Sequence, residues 1–270
     1  MEDEEKCHFT DTRLRSLIIR YALSWFRKNL AKKKHFALFQ QLQNISNEGL
    51  GYGNDAIISR AETALIERVA SVLPKNPIVF DVGANEGDYL KHWIAHNAVI
   101  HAFEPGAEAF EILKTTYTDA AVMNQLALGA VEGEVDFYKE EHDNKLNSLV
   151  KRNHSKHQWS KGSQVECKTL DTYCVVHNIA AIDFLKIDTE GYEMEVLKGA
   201  KGMLKNIQYI QFEFGGAHIE NGVFFRDFYQ LLSPMFTLYH LVQDGQVEIE
   251  SYHEKLENFT GANFLAVNRT

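Results

Sequence analysis

Cysteine is scarce, and its spacing excludes two kinds of chemistry. The three cysteines, Cys7, Cys167 and Cys174, include no C-x-x-C pair. An odd, scattered set builds neither a disulfide framework nor a thiolate zinc site, and suits free thiols in a reducing cytosol. Long apolar runs are also missing. Leu17–Phe26 is interrupted by Arg20 and Ser24, which leaves it too short and too polar to span a bilayer. Four N-x-S/T triplets begin at Asn44, Asn153, Asn258 and Asn268, but with no secretory signal they carry little meaning. There is no basic excess either. Twenty-eight Lys and Arg face 37 Asp and Glu, a net charge of -9, so the chain as a whole repels a phosphate backbone. Nucleic acid is therefore not the expected partner, and small-molecule chemistry in the cytoplasm is.

With 45% hydrophobic and 24% charged residues, the composition is that of one large globular domain with embellishments. Residues 1–12 are polar and acidic. From Arg13 to Lys34 there are eight Lys or Arg and no acid, with Leu14, Leu17, Ile18, Tyr21 and Trp25 at helical spacing. This basic helix has two readings. One is peripheral contact with an anionic membrane or a lipid-linked substrate. The other is docking on the body or on a second subunit of a homo-oligomer. We place an N-terminal helical extension at 1–54 and the main domain at 55–270.

The domain opens with a helix from about Ser59 to Leu73, stopped by Pro74 and Pro77. Short β-rich runs then alternate with helices. The runs are Ile78–Val82, Val99–Phe103, Ala121–Asn124, Ile182–Asp188 and Tyr209–Phe214. Helices are expected at Asp88–His96, Ala107–Tyr117, Thr172–His177 and Tyr192–Leu204. Apolar strands separated by helices indicate a mostly parallel sheet covered on both faces. An insert, Gly129–Cys167, interrupts the alternation, with an extra strand at Glu134–Lys139 and a loop over 154–158. Its His142, His154 and His157 are candidates for a substrate lid. Phe236–Val242 and Gln246–Tyr252 read as a hairpin about Gln243-Asp244-Gly245, and Asn263–Val267 as a last strand.

Three motifs carry chemistry. In Val79-Phe80-Asp81-Val82-Gly83-Ala84-Asn85-Glu86-Gly87-Asp88, a buried strand runs into a glycine turn and a helix. The spacing is G-x-x-x-G rather than the G-x-G-x-x-G of dinucleotide binders. The strand-end acid Asp81 suits a ligand carrying an amino group better than one carrying phosphates. Glu104 ends the second strand 23 residues after Asp81, where a carboxylate can accept both hydroxyls of a ribose. Asp183-Phe184-Leu185-Lys186-Ile187-Asp188-Thr189-Glu190-Gly191-Tyr192-Glu193 delivers Asp188 and Glu190 to the same crevice. In the same stretch, Asp188 or Thr189 can cap the following helix, and Glu193 reads as structural.

These segments, with Ala127-Leu128-Gly129, Thr169-Leu170-Asp171 and Val196-Leu197-Lys198-Gly199-Ala200, resemble the FkbM family of methyltransferases over roughly residues 55–215. The Lys-Ile-Asp-Thr-Glu-Gly-Tyr-Glu block is the most distinctive. The resemblance implies a Rossmann-like class I methyltransferase fold, with a seven-stranded sheet, and S-adenosylmethionine as cofactor. By it, Asp81, Gly83, Asn85 and Gly87 surround the methionine end, Glu104 holds the ribose, and Leu126 and Ala127 lie against adenine, with Asp188 close by. Relatives mostly methylate hydroxyls of sugars or polyketides, so O-methylation is expected, with N- or carboxyl methylation as variants.

Methyl transfer from a sulfonium is an in-line displacement in which the acceptor must also lose a proton. Asp188, Glu213 at the end of the fifth strand, and His218 are the catalytic candidates. Asp188 and Glu213 together offer oxygen ligands to Mg2+, which acidifies a bound hydroxyl. Two other readings compete: an NAD-dependent oxidoreductase, and a binding protein that keeps the fold without catalysis.

Overall fold

The computed structural model describes residues 20–21, 23–141, 146–153 and 158–269. The chain divides after Gly49 into two compact units. In the first, residues 20–21 and 23–29 are helical, and α1 follows over Phe36–Gly49. None of the residues of α1 is buried, and Phe36, Leu38, Leu42 and Ile45 of its apolar stripe are exposed. Arg13 and Arg15 of the basic segment, and His142, His154 and His157 of the insert, lie outside the described residues.

The second unit starts with α2, Asp55–Ala70. It begins earlier than expected because Asn54 caps it, accepting the Ile57 N–H at 3.2 Å. The strands that follow are β1 (Ile78–Val82), β2 (Val99–Phe103), β3 (Val122–Asn124), β4 (Ala127–Leu128), β5 (Gly133–Glu140), β6 (Trp159–Lys168), β7 (Ile182–Ile187), β8 (Ile207–Phe214), β9 (Phe236–Val242), β10 (Gly245–Glu248) and β11 (Ala262–Asn268). The intervening helices are α3 (Leu90–Ile94), α4 (Ala107–Thr116), α5 (Leu170–Val176), α6 (Glu193–Lys198) and α7 (Phe225–Leu232).

The main sheet runs β10-β9-β11-β8-β7-β1-β2-β3. Its β3-β2-β1-β7-β8 part is parallel, and β11, β9 and β10 continue it antiparallel. Eight strands stand where seven were expected, since the short second arm of the hairpin, β10, adds an edge. Side chains alternate between two buried layers, as a period of two requires. Val79, Ile100, Phe184 and Leu265 face Leu65 and Ile66 of α2 and Trp93 of α3. Phe80, Leu185, Phe212 and Phe264 face Tyr173 of α5, Leu197 of α6 and Phe228 of α7. The buried phenylalanines alone contribute about 1.5–3 kcal/mol each.

Two departures from expectation have local causes. The helix expected over 192–204 ends at Lys198, because Gly199 lies against the chain at Gly129; a Cβ on it would stand 1.9 Å from the Gly129 carbonyl oxygen. The insert forms a second sheet, β4-β6-β5, in which the ten-residue β6 pairs antiparallel with β5. Its inner side buries Phe137, Val165 and Cys167.

Candidate active site

The chain leaves β1 for β2 on one side and places β7 on the other, so the loops after β1 and β7 part company at their carboxyl ends. Open α/β sheets bind ligands at such a switch point. Here it opens a cavity of about 580 Å³, walled by the β1 loop, Glu104, Leu126–Leu128, Phe137, Asp188–Glu190 and one face of α2.

The β1 loop is shaped by close backbone approach. Gly83 has φ +82°, and a Cβ there would fall 1.8 Å from the Asp188 carbonyl oxygen, so only glycine lets the two loops meet. Gly83, Ala84 and Asn85 line the cavity, whereas Gly87 (φ +93°) packs against Leu113 and Tyr117. Glu104, 7% exposed, is fixed by two backbone donors: Asn85 N–H to Oε2 at 2.9 Å and Gly106 N–H to Oε1 at 2.7 Å. Burial pushes its carboxyl up to about 7, against the pull of those N–H groups. Leu126 and Ala127 face the cavity together with Phe137 of the insert, giving one end an apolar slot.

Asp81 is placed differently. It is 1% exposed and lies beneath the cavity floor, with Oδ1 3.5 Å from Lys186 Nζ on β7. The two are register partners on adjacent strands. The same ammonium reaches Asp188 Oδ2 at 3.2 Å and lies over the Tyr89 ring. Burial raises the Asp81 carboxyl, with Lys186 opposing. Burial also pulls Lys186 down, but Asp81, Asp188 and Glu62 together outweigh it and hold the ammonium above its ordinary value.

At the other end three carboxylates converge. One oxygen from each of Asp188, Glu190 and Glu213 lies within 4.8 Å of the others. Arg152 Nη2 meets Glu190 Oε2 at 2.5 Å, and its guanidinium stands over Trp159. Burial, then Asp188, lifts the Glu190 carboxyl to about 7 against Arg152. Glu213 is pushed well above the carboxylate range by burial and by Glu190 and Asp188. A second cavity of about 350 Å³, lined by Arg152 and the loop over 215–220, shares Glu190 and Glu213 with the first.

His218 lines neither cavity. It is 1% exposed, and its Nε2 lies 2.8 Å from Oε2 of the fully buried Glu193. Glu193 in turn accepts the Thr189 N–H at 2.7 Å and the Gly191 N–H at 3.0 Å, clamping the turn that carries Glu190. Burial alone would raise the Glu193 carboxyl, but His218 and the Thr189 N–H outweigh it and hold it below its usual value. Glu62, Arg152 and Phe137 also belong to the site; none of them stands in a motif readable from sequence.

The FkbM methyltransferase domain is matched over residues 81–240, from Asp81 through the Asp188–Glu190 turn to β9. The 2-O-methyltransferase NoeI of Sinorhizobium fredii is 25% identical over 171 residues, covering 57% of this chain and 70% of that protein. The hexuronic acid methyltransferase AglP of Haloferax volcanii is 26% identical over 180 residues, covering 64% and 69%. An O-methyltransferase structure from Bacillus cereus overlays at a TM-score of 0.42 and 12% identity, covering 91% of this chain and 96% of that one. The domain match spans more than half of the chain and takes in the loop after β1, Glu104 and the Asp188–Glu190 turn: this chain belongs to the FkbM family of methyltransferases.

Proposed function

We propose that the protein transfers a methyl group from S-adenosylmethionine to a hydroxyl of a sugar or glycan. The observation that supports this reading is that two cavities share the carboxylates Glu190 and Glu213; the reading assigns the nucleoside to the first and the acceptor to the second. The first suits the donor in its chemistry: Glu104 offers a preset carboxylate to a ribose diol, and Leu126, Ala127 and Phe137 offer an apolar slot to a purine. When bound, S-adenosylmethionine supplies an electrophilic methyl on a sulfonium. The names of the two relatives, a 2-O-methyltransferase and a hexuronic acid methyltransferase, favour a sugar hydroxyl as acceptor.

The carboxylates set the proton chemistry. A sugar hydroxyl is a weak acid, so its proton needs a destination as the new C–O bond forms. Glu213 lines both cavities and, in its ionised form, offers an oxygen that can take that proton. Asp188 and Glu213 also form a hard-oxygen donor pair that fits Mg2+, which would acidify a hydroxyl bound beside it. Lys186 holds Asp188 in place, and Arg152 holds Glu190.

Calorimetry with S-adenosylhomocysteine and NAD, on wild type and Glu104→Ala, tests the donor assignment. S-adenosylhomocysteine binds and weakens more than tenfold in the variant, about 1.4 kcal/mol. Binding of NAD instead overturns the reading. Incubation with labelled S-adenosylmethionine and a panel of glycosides, hexuronides included, then tests the acceptor. Methyl label on a carboxylate or an amine, and on no hydroxyl, would refute O-methylation.

A further inference from the structure

Glu62 is a carboxylate of the crevice that neither the ribose contact nor the acceptor cluster uses. It stands on the face of α2 that lines the cavity, in line with Ile58 and Ser59. Its Oε1 accepts Gln211 Nε2 at 2.7 Å and Asn263 Nδ2 at 3.2 Å. Gln211, fully buried on β8, is fixed in turn because its Oε1 accepts the Tyr89 hydroxyl at 2.7 Å. Three elements (β8, β11 and the segment before α3) thus hold one acidic side chain of a helix at the cavity wall.

The charges around it are unbalanced. Burial raises the Glu62 carboxyl to about 7, Lys186 opposes this, and Asp188 and Asp81 add to it. Three carboxylates, Glu62, Asp81 and Asp188, therefore share the single ammonium of Lys186. A ligand bringing a positive charge to Glu62 would relieve that imbalance; a neutral or anionic one would not.

Sheet order fixes which end of a ligand arrives there. Glu104 ends β2, on one side of β1, whereas Gln211 and Asn263 lie on β8 and β11, on the other side. A nucleoside whose ribose rests on Glu104, with its base toward Leu126 and Phe137, directs its 5′ substituent toward Glu62. On the methyl donor that substituent ends in an amino acid. Asp81, the acid that the sequence offers for the amino group, is turned under the floor onto Lys186. We propose that Glu62 binds the α-ammonium of the donor's amino-acid end, so that α2 supplies the specificity for an amino acid over a plain nucleoside. The assignment rests on the donor reading above.

The test compares three ligands by calorimetry: S-adenosylhomocysteine, its analogue lacking only the amino group, and 5′-methylthioadenosine, which lacks the whole amino-acid end. In wild type, loss of the amino group weakens binding at least tenfold. In Glu62→Gln, S-adenosylhomocysteine weakens by a similar factor, while the other two ligands bind as they do to wild type. Equal affinity of wild type for S-adenosylhomocysteine and its desamino analogue overturns the proposal without any variant. So does a Glu62→Gln protein that loses all three ligands alike. If wild type binds none of the three, the donor reading falls and Glu62 with it.

Discussion

Asp81 and Lys186 face each other across β1 and β7 as register partners, and their charged ends meet 3.5 Å apart beneath the cavity floor. Both are at most 5% exposed, so each depends on the other for its ionised form. Taking the ammonium away strands Asp81 in the interior and removes the contact to Asp188. Lys186→Met is therefore expected to cost about 3–5 kcal/mol of stability, the usual penalty for breaking a buried pair. Asp81→Asn in the same chain should return part of that loss, because the stranded charge goes with it. Urea denaturation of the two single variants and the double gives the coupling. Additive losses would mean that the pair is not an interacting unit.

Several site carboxyls titrate far above an unfolded glutamate at 4.5. Glu62, Glu104 and Glu190 lie at about 7, and burial with its acidic neighbours pushes Glu213 well above the carboxylate range. As pH rises from 4.5 past 7, the unfolded chain releases these protons before the native one does, so native stability falls. His101 and His240 act oppositely. Burial lowers both to about 4, so the unfolded chain takes up their protons first as pH falls through 6.5. The four carboxyls outnumber the two histidines, so the balance is a decline in stability from about pH 5 toward pH 8. For a domain of this size about 1 kcal/mol moves Tm by roughly 2–4 °C, so a drop of a few degrees from pH 6.5 to 8 is expected. Glu213→Gln should flatten the decline and raise Tm at pH 8. A ligand-free protein whose Tm climbs across that interval would show that these carboxyls are ordinary.

The parallel half of the fold was legible because its signals are local. β1, β2 and β7 are nearly continuous apolar runs, and Gly83, Glu104 and Asp188 sit directly at their ends. Strand β6 was not legible. Lys161, Gly162, Ser163 and Gln164 give its first half no apolar alternation, and that half is held by pairing to β5, with burial only at Val165 and Cys167. Glu62 was hidden for another reason. On a helix it reads as a solvated polar position, and its partners Gln211 and Asn263 lie 149 and 201 residues away. Asp81 was found, but its direction was not. Alternation along β1 puts it on the layer of Val79, where Lys186 takes it up, instead of on the cavity wall.

The placement of His218 separates two roles that a loss of activity alone would confuse. It grips Glu193, which holds the Thr189 and Gly191 N–H groups, so it acts on the carboxylate cluster through the turn bearing Glu190. His218→Asn should lower kcat roughly tenfold or more while leaving the pH dependence of kcat unchanged in shape. Glu193→Gln should do the same, and both should lower Tm, since a buried charge loses its partner. Loss of one limb of the pH–rate profile in His218→Asn alone would instead make the imidazole the group that takes the proton.

In the proposed reaction, Glu213 is the side chain on which the acceptor chemistry turns. Removing a positioned proton acceptor costs about 10²–10⁴ in rate. Glu213→Gln should therefore lose activity on that scale while binding S-adenosylhomocysteine like wild type, because the proposed nucleoside contacts are at Glu104 and Leu126. A chelator divides the remaining choice. If activity falls with chelation, returns with magnesium, and fails to return in Asp188→Asn or Glu213→Gln, the two carboxylates hold a cation that acidifies the hydroxyl. Should chelation leave the rate untouched while Glu213→Gln abolishes it, the carboxylate itself receives the proton. Full activity in Glu213→Gln would remove the cluster from the chemistry altogether and move the search for the proton acceptor onto the substrate.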